Sequence, residues 1–196
     1  MNMEFFRLIN NLAYQNRIID EIMIFFSKYV PYMFMLIMVI VFLRGILNKN
    51  LECRQSAVST LIFTIINMII SSIIGGIYYV DRPFVHNKVN LLFHHVQDAS
   101  FPSDHATGTM SIARGFASYN KWLSIALTVL SLFVGFSRVY VGHHYPADVI
   151  GAYIMVLFTS WIYNLKLRNI VINLYKAIED KIIIRLGLSN GDIKTL

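Results

Sequence analysis

Charge is what this chain has least of. Of its 196 residues, 14% are Asp, Glu, Lys or Arg and 56% are hydrophobic. A soluble domain carries nearer a quarter charged residues, so the composition excludes an ordinary water-exposed enzyme. The shortage is uneven: Gln55 to Val80 holds no charged residue across 26 positions, and Val149 to Leu165 holds none across 17. About 20 apolar helical residues cross a bilayer's hydrocarbon core. The chain therefore reads as an all-α integral membrane protein, with residues 1–196 forming one membrane domain. Cysteine is nearly absent as well: Cys53 stands alone, so no internal disulfide forms and the thiol reads as a spectator. The N-terminus lacks the basic n-region and long apolar h-region of a signal peptide and carries an acid at Glu4. Basic residues are not interleaved with aromatics in a soluble module, which argues against nucleic acid as a partner.

What is present is a series of apolar segments. Phe5, Leu8, Ile9 and Leu12 share one helical face, so residues 1–21 are expected to form an amphipathic helix in the membrane interface. Residues 22–165 are expected to form a bundle of five spans: Ile22 to Leu43, Gln55 to Val80, His105 to Ser118, Trp122 to Gly142 and Pro146 to Leu165. The third is short and contains Gly108, Arg114 and Gly115, so it is credible only when shielded by its neighbours. Residues 166–196 are expected to be a basic amphipathic tail on the anionic inner leaflet, with Ser189 to Leu196 disordered.

Orientation follows from the cations. With five spans, Arg44, Lys49 and Arg54, then Lys121, then Lys166, Arg168, Lys176, Lys181, Arg185 and Lys194 all fall on one face, which is assigned to the cytoplasm. The formal charge of +6 is thereby topological. On the opposite face lie all six histidines, His86, His94, His95, His105, His143 and His144. Core histidines would be scattered, so this clustering marks an outer-face site.

Three stretches meet there: "YVDRPFV", "FPSDHA" and "SRVYVGHHYPAD". Arg82 and Arg138 supply guanidinium forks and Ser103 a hydroxyl, the donors that suit a phosphate. A helix beginning near Ser103 adds free backbone N–H groups and the positive end of its dipole. His144 and Asp148, four apart, meet on one helical face, where the carboxylate fixes the imidazole tautomer. The other ring nitrogen is then free to act as a nucleophile, and His105, just inside the helix mouth, is placed to protonate a leaving group.

"PSDH" and Ser137-Arg138-x5-His144-x3-Asp148, preceded by Arg82-Pro83, resemble the type-2 phosphatidic acid phosphatase superfamily. Within it the likeness is to the bacterial bacitracin-resistance branch of undecaprenyl-diphosphate phosphatases, which also reads PSDH where many members read PSGH. The resemblance implies the core shared with haloperoxidases, no metal and no cofactor. It implies His144 as a phosphohistidine-forming nucleophile oriented by Asp148, and His105 as general acid. Arg82, Ser103, Arg138 and the backbone near Asp104 would hold the phosphate. It further implies a lipid diphosphate as substrate, in a bacterial plasma membrane, with the site on the extracytoplasmic face.

Two positions depart from the family pattern. The longer first motif has a lysine where this chain has Gly75, and Lys88 in the outer loop is the candidate replacement. Asp104 puts a carboxylate near the phosphate, which repels unless it caps the helix or pairs. The motifs read the phosphate and not the tail, so phosphatidic acid and phosphatidylglycerol phosphate stay open as substrates. From other classes, a vanadate-dependent haloperoxidase and a non-catalytic transporter or bacitracin-binding protein are the alternatives. His143 is read either as holding the substrate or as a loop histidine bonded to backbone or water; His94 and His95 either as lining a lid or binding an ion or as solvated, with Asp98 alike; Arg114 as too deep to reach the phosphate; and residues 84–100 as either a short helix or a lid.

Overall fold

A computed structural model describes residues 2–185. Among them the fold is helical throughout, with no strand. The N-terminal segment forms two helices, α1 (Asn2–Asn10) and α2 (Arg17–Lys28), in place of the single interfacial helix expected over 1–21. Tyr14, at φ 67°, turns the chain between them. Asn16 then starts α2, its side chain accepting from the N–H groups of Ile18 and Ile19 at 2.9 and 3.3 Å. Phe5 and Leu8 of α1 are exposed while Phe6 and Asn10 are buried against the bundle.

The first span is also corrected. The expected Ile22 to Leu43 segment breaks at Tyr29, and α3 runs Val30–Leu47. Pro31 explains the break: it has no N–H to bond back into α2, and its ring is accepted only in the first turn of a new helix. A polar turn led by Asn50, whose side chain caps the Cys53 N–H at 3.1 Å, starts α4 (Leu51–Ile77). The Cys53 thiol is buried beside the Tyr119 hydroxyl, 3.0 Å away. Only α5 (Pro83–His86) is helical near the outer loop, so the short-helix reading holds for three residues of it. Helices α6 (Asp104–Gly115) and α7 (Lys121–Tyr140) follow. Next comes α8 (Pro146–Ile162), continued through a wide turn at Tyr163–Leu167 into α9 (Arg168–Arg185).

Among the described residues, four helical segments are long and apolar enough to cross a membrane: α3, α4, α7 and the run beginning at Pro146. The third expected span is not among them. With 12 residues, α6 is about 18 Å long at 1.5 Å per residue, well short of a hydrocarbon core of about 30 Å. It is instead the central strut, packed against α3, α4, α7 and α8. Ile112, Ala113 and Phe116 pack with Phe34 of α3 and with Leu127 and Val134 of α7. Enclosure by protein is what permits Thr107, Ser111 and Arg114 at membrane depth.

Nor does the chain leave the bundle at Leu165. It continues helically, and α9 packs on α4 through an Arg54 Nε–Glu179 ion pair at 2.7 Å. The segment expected to be a basic amphipathic tail is thus helical through Arg185 and held against α4; Ser189 to Leu196 lie outside the described residues.

With the helices alternating in direction, one end of the bundle gathers the end of α2, the end of α4, α5, the start of α6, the end of α7 and the start of α8. The N-terminal pair closes this end. Asn10 donates to the carbonyls of Asn90 and Tyr140 at 2.8 and 2.9 Å, and accepts from the Asn90 N–H at 2.8 Å. Asp20, buried, accepts the Tyr140 hydroxyl at 2.8 Å and the Tyr14 N–H at 3.1 Å. Phe6 meets Tyr145 edge-on at 5.7 Å between ring centres. Between α7 and α8, Gly142 takes φ +92°, and a Cβ there would lie 2.8 Å from the Asn90 carbonyl, so the turn that presents the next two histidines requires glycine.

Candidate active site

Local structure places each donor. Ser103 stands at the N-cap of α6 with extended backbone, yet its hydroxyl makes no cap bond. It is 0% exposed and has no partner. The first-turn N–H groups of α6 have no intrahelical acceptor by helix geometry, so an unused hydroxyl and unused amides face the same place. Arg138, in the last turn of α7, is 1% exposed. Its guanidinium donates to Ser27 Oγ at 2.9 Å, while its Nε and second terminal nitrogen have no partner. Native structures rarely bury polar groups unpaired.

The carboxylates nearby are engaged elsewhere. Asp98 takes Arg82 Nε at 2.6 Å. Asp104 accepts Ser71 Oγ of α4 at 2.9 Å, and it lines the same groove as His105. Asp148 accepts Ser100 Oγ at 2.5 Å and the Tyr145 N–H at 2.8 Å.

Around His144 the bonds settle the tautomer. Arg82 can only donate, and its terminal nitrogen lies 2.9 Å from His144 Nε2, so Nε2 presents a lone pair. Nδ1 then carries the proton and donates to the Ser100 carbonyl at 2.9 Å. Here the expected arrangement is corrected. His144 precedes α8 and is not on its face, and its Nδ1 is 3.6 Å from Asp148. Asp148 comes close because it caps the first turn of α8, and it acts on His144 through the Ser100 residue between them. Ser100 was not singled out in the sequence, and nothing in the order of residues marks it.

Burial and the neighbouring guanidinium charges of Arg138 and Arg82 hold His144 well below the usual imidazole range. Burial, then the charge on Arg138, lowers His143 likewise. His143 fits its bland reading in one respect: Nε2 bonds the Phe93 carbonyl at 2.9 Å. His95, solvated on one reading of the sequence, is instead drawn in. Its ring lies 4.7 Å from that of His143, and its Nδ1 is 4.0 Å from Asp98. Asp98 is drawn in by its ion pair with Arg82. Lys88 is not: it is exposed in the outer loop, and no hydrogen bond or ion pair ties it to the cluster. At Gly75 a Cβ would lie 3.2 Å from the Phe101 carbonyl and 3.3 Å from Ala99, so a side chain there would crowd the 99–101 segment. The segment carrying Ser100 rests where that side chain would begin.

His105 lies at the mouth of α6 and lines a groove of about 290 Å³ between α3, α4 and α6. Tyr32, Met35, Thr64 and Met68 form much of the rest of its wall. Among the described residues no three His, Cys, Asp or Glu side chains gather as metal ligands.

The geometry thus gathers a buried imidazole of fixed tautomer, two buried guanidinium groups and an unpartnered hydroxyl, with His105 at the mouth of α6. A family model described as the PAP2 superfamily matches residues 56–170, more than half of the chain. The chain belongs to the PAP2 superfamily. It is 34% identical over 188 residues to undecaprenyl-diphosphatase BcrC of Bacillus subtilis, covering 93% of this chain and 95% of that one. It is also 28% identical over 200 residues to the bacitracin transport permease protein BcrC of Bacillus licheniformis, covering 99% and 97%. Among solved structures, Aquifex aeolicus LpxE superimposes with a TM-score of 0.68 at 24% identity, over 82% of this chain and 93% of that one, which supports the fold. The PAP2 match begins inside α4, so α1, α2 and α3 close the site from outside it.

A lowered imidazole pKa favours the neutral form, so His144 stays nucleophilic as pH falls through 6.5. The acid limb of kcat/KM, which reports the free enzyme, is therefore expected below pH 6.5. A limb centred at 6.5 or above contradicts the burial of His144.

Proposed function

We propose that this PAP2 protein hydrolyses undecaprenyl diphosphate to undecaprenyl phosphate and inorganic phosphate, recycling a cell-wall carrier lipid and conferring bacitracin resistance. The observation that carries the chemistry is the buried set of unpaired donors, Ser103 Oγ and two Arg138 nitrogens, at the end of the bundle where His144 Nε2 keeps its lone pair by accepting from Arg82. The substrate follows from the similarity to the Bacillus subtilis diphosphatase along nearly the whole of both chains.

In this mechanism the terminal phosphate sits on Arg82, Arg138, Ser103 and the α6 amides. His144 Nε2 attacks its phosphorus, the bond to the bridging oxygen breaks, and His105 protonates the departing lipid phosphate. Water, deprotonated by His105, then attacks the phosphohistidine, releasing inorganic phosphate and restoring both histidines. The protein needs no cofactor for this sequence. Positioning and the fixed donors supply most of the rate, as in other phosphoryl transfers. The Ser100 carbonyl and Asp148 stabilise the cationic ring as it forms. The groove between α3, α4 and α6 is lined by Asp104 and His105, so an isoprenoid chain lying in it would bring its diphosphate beside His105.

The cation distribution supports an extracytoplasmic site in a bacterial plasma membrane. Arg44, Lys49 and Arg54 lie at the junction of α3 and α4, Lys121 at the start of α7, and Lys166 and Arg168 where α8 passes into α9. All belong to the end opposite His144, and such residues favour the cytoplasm. In intact cells a Lys88→Cys variant is accordingly expected to react with a membrane-impermeant maleimide; protection until the cells are opened reverses the orientation.

The activity is tested on purified protein in detergent with a metal chelator, offering undecaprenyl diphosphate and phosphatidic acid separately. Phosphate release favouring the isoprenoid diphosphate is expected, falling about 10³-fold or more in His144→Ala. Equal turnover of the two lipids overturns the substrate. No release from either by folded protein overturns the enzyme and favours a transport or bacitracin-binding role.

A further inference from the structure

We infer that Ser27, in the last turn of α2, is a positioning residue that aims Arg138 at the phosphate. The inference rests on the proposed role of Arg138 as a phosphate holder and goes beyond it, to a residue outside the 56–170 region that carries the family match.

Ser27 is 0% exposed, and its hydroxyl accepts one terminal nitrogen of Arg138 at 2.9 Å across 111 residues of sequence. This is the bond that fixes the guanidinium. A planar fork held at one terminal nitrogen by a fixed acceptor has its other edge, Nε and the second terminal nitrogen, set in direction. Those two atoms are the ones left unpaired and buried. They form the edge suited to a bidentate grip on two phosphate oxygens. Without the Ser27 hydroxyl, rotation about the long arginine side chain would let that edge turn aside, and the guanidinium would lack its one neutral anchor. A hydroxyl suits the task because it satisfies one nitrogen without adding a charge that would compete with phosphate, as a carboxylate would.

The surroundings hold Ser27 itself in place. Pro31 ends α2 just beyond it, at Tyr29. The neighbouring Lys28 ammonium lies 4.2 Å from the centre of the Phe93 ring, and Phe93 stacks edge-on with His143 at 4.4 Å. Seven residues earlier, Asp20 pins the same helix to Tyr140. The N-terminal pair is thus clamped at both ends of α2 to the part of α7 that carries Arg138, and Ser27 is its point of contact with the guanidinium.

The experiment compares the full-length chain with Ser27→Ala, Ser27→Thr, Arg138→Ala and the Ser27→Ala/Arg138→Ala double variant in detergent, measuring kcat/KM, competitive inhibition by orthovanadate and thermal melting. Ser27→Ala is expected to melt with the parent, to lose about tenfold in kcat/KM and to weaken orthovanadate inhibition by a similar factor. Ser27→Thr, which keeps the hydroxyl, restores both. Adding Ser27→Ala to Arg138→Ala costs nothing further, because the residue acts through the guanidinium. Unchanged kcat/KM and inhibition in Ser27→Ala overturn the inference while leaving Arg138 as a phosphate holder. The same tenfold loss in both backgrounds, or a loss in Ser27→Ala that tracks a lowered melting temperature and that threonine does not rescue, overturns it as well. Full activity in Arg138→Ala overturns the inference together with the reading on which it rests.

Discussion

Two arginines buried at the end of a membrane bundle constrain everything built around them. Removing a guanidinium from water without pairing costs several kcal/mol, and the protein meets that cost only in part. Arg82 is paired with Asp98 and bonded to the His143 carbonyl. Arg138 has one neutral acceptor, Ser27. The remaining demand is for an anion, and Ser103 and the α6 amides make the same demand from the other side. The substrate-free fold therefore holds the unpaired donors of Ser103 and Arg138 already desolvated, while Arg82 must release His144 Nε2 before that nitrogen can attack.

This constraint accounts for the odd proportions of the bundle. An α6 long enough to cross the membrane would carry its N-terminus clear of the arginines; at 12 residues it ends among them. Its shortness is tolerated because α3, α4, α7 and α8 enclose it. Gly75 lets the 99–101 segment lie against α4, and that segment supplies the Ser100 carbonyl and hydroxyl linking His144 to Asp148. Gly142 makes the turn that sets His143 and His144 over the cluster. The N-terminal helices, outside the family match, contribute Ser27 and the Asn10 and Asp20 anchors at the same end.

Much of this was legible in the order of residues. The uncharged runs gave α4 and α8 nearly as they are, and the clustering of histidines located the site end. Arg82, Ser103, Arg138, His105 and His144 stand out in the sequence because a phosphate needs groups of those types, and the fold buries Arg82, Ser103, Arg138 and His144 at one end of the bundle. What was missed has physical causes. Hydropathy does not register that Pro31 splits an apolar run, so the first span was drawn across the break at Tyr29. It also does not say that a charged segment such as α9 continues a helix when Arg54 and Glu179 hold it to α4. Four-residue spacing implied a helical His144–Asp148 face, but the helix starts only at Pro146 and the contact runs through Ser100. Ser27, His95 and Asp98 carry no local signal: each acquires its place from a partner 16 to 111 residues away. Lys88 was chosen for charge alone, and charge alone does not bring a loop residue inward.

The central claim is that the lone pair of His144 attacks a phosphate held by buried donors. Mixing the purified protein with undecaprenyl diphosphate labelled at its terminal phosphate, quenching rapidly in base and mapping the labelled peptide tests it most directly. The account predicts a transient, acid-labile phosphoenzyme on the peptide containing His144, absent from His144→Ala and discharged by water as free phosphate appears. Turnover at the same rate with no phosphoenzyme, or label on another residue, would contradict it.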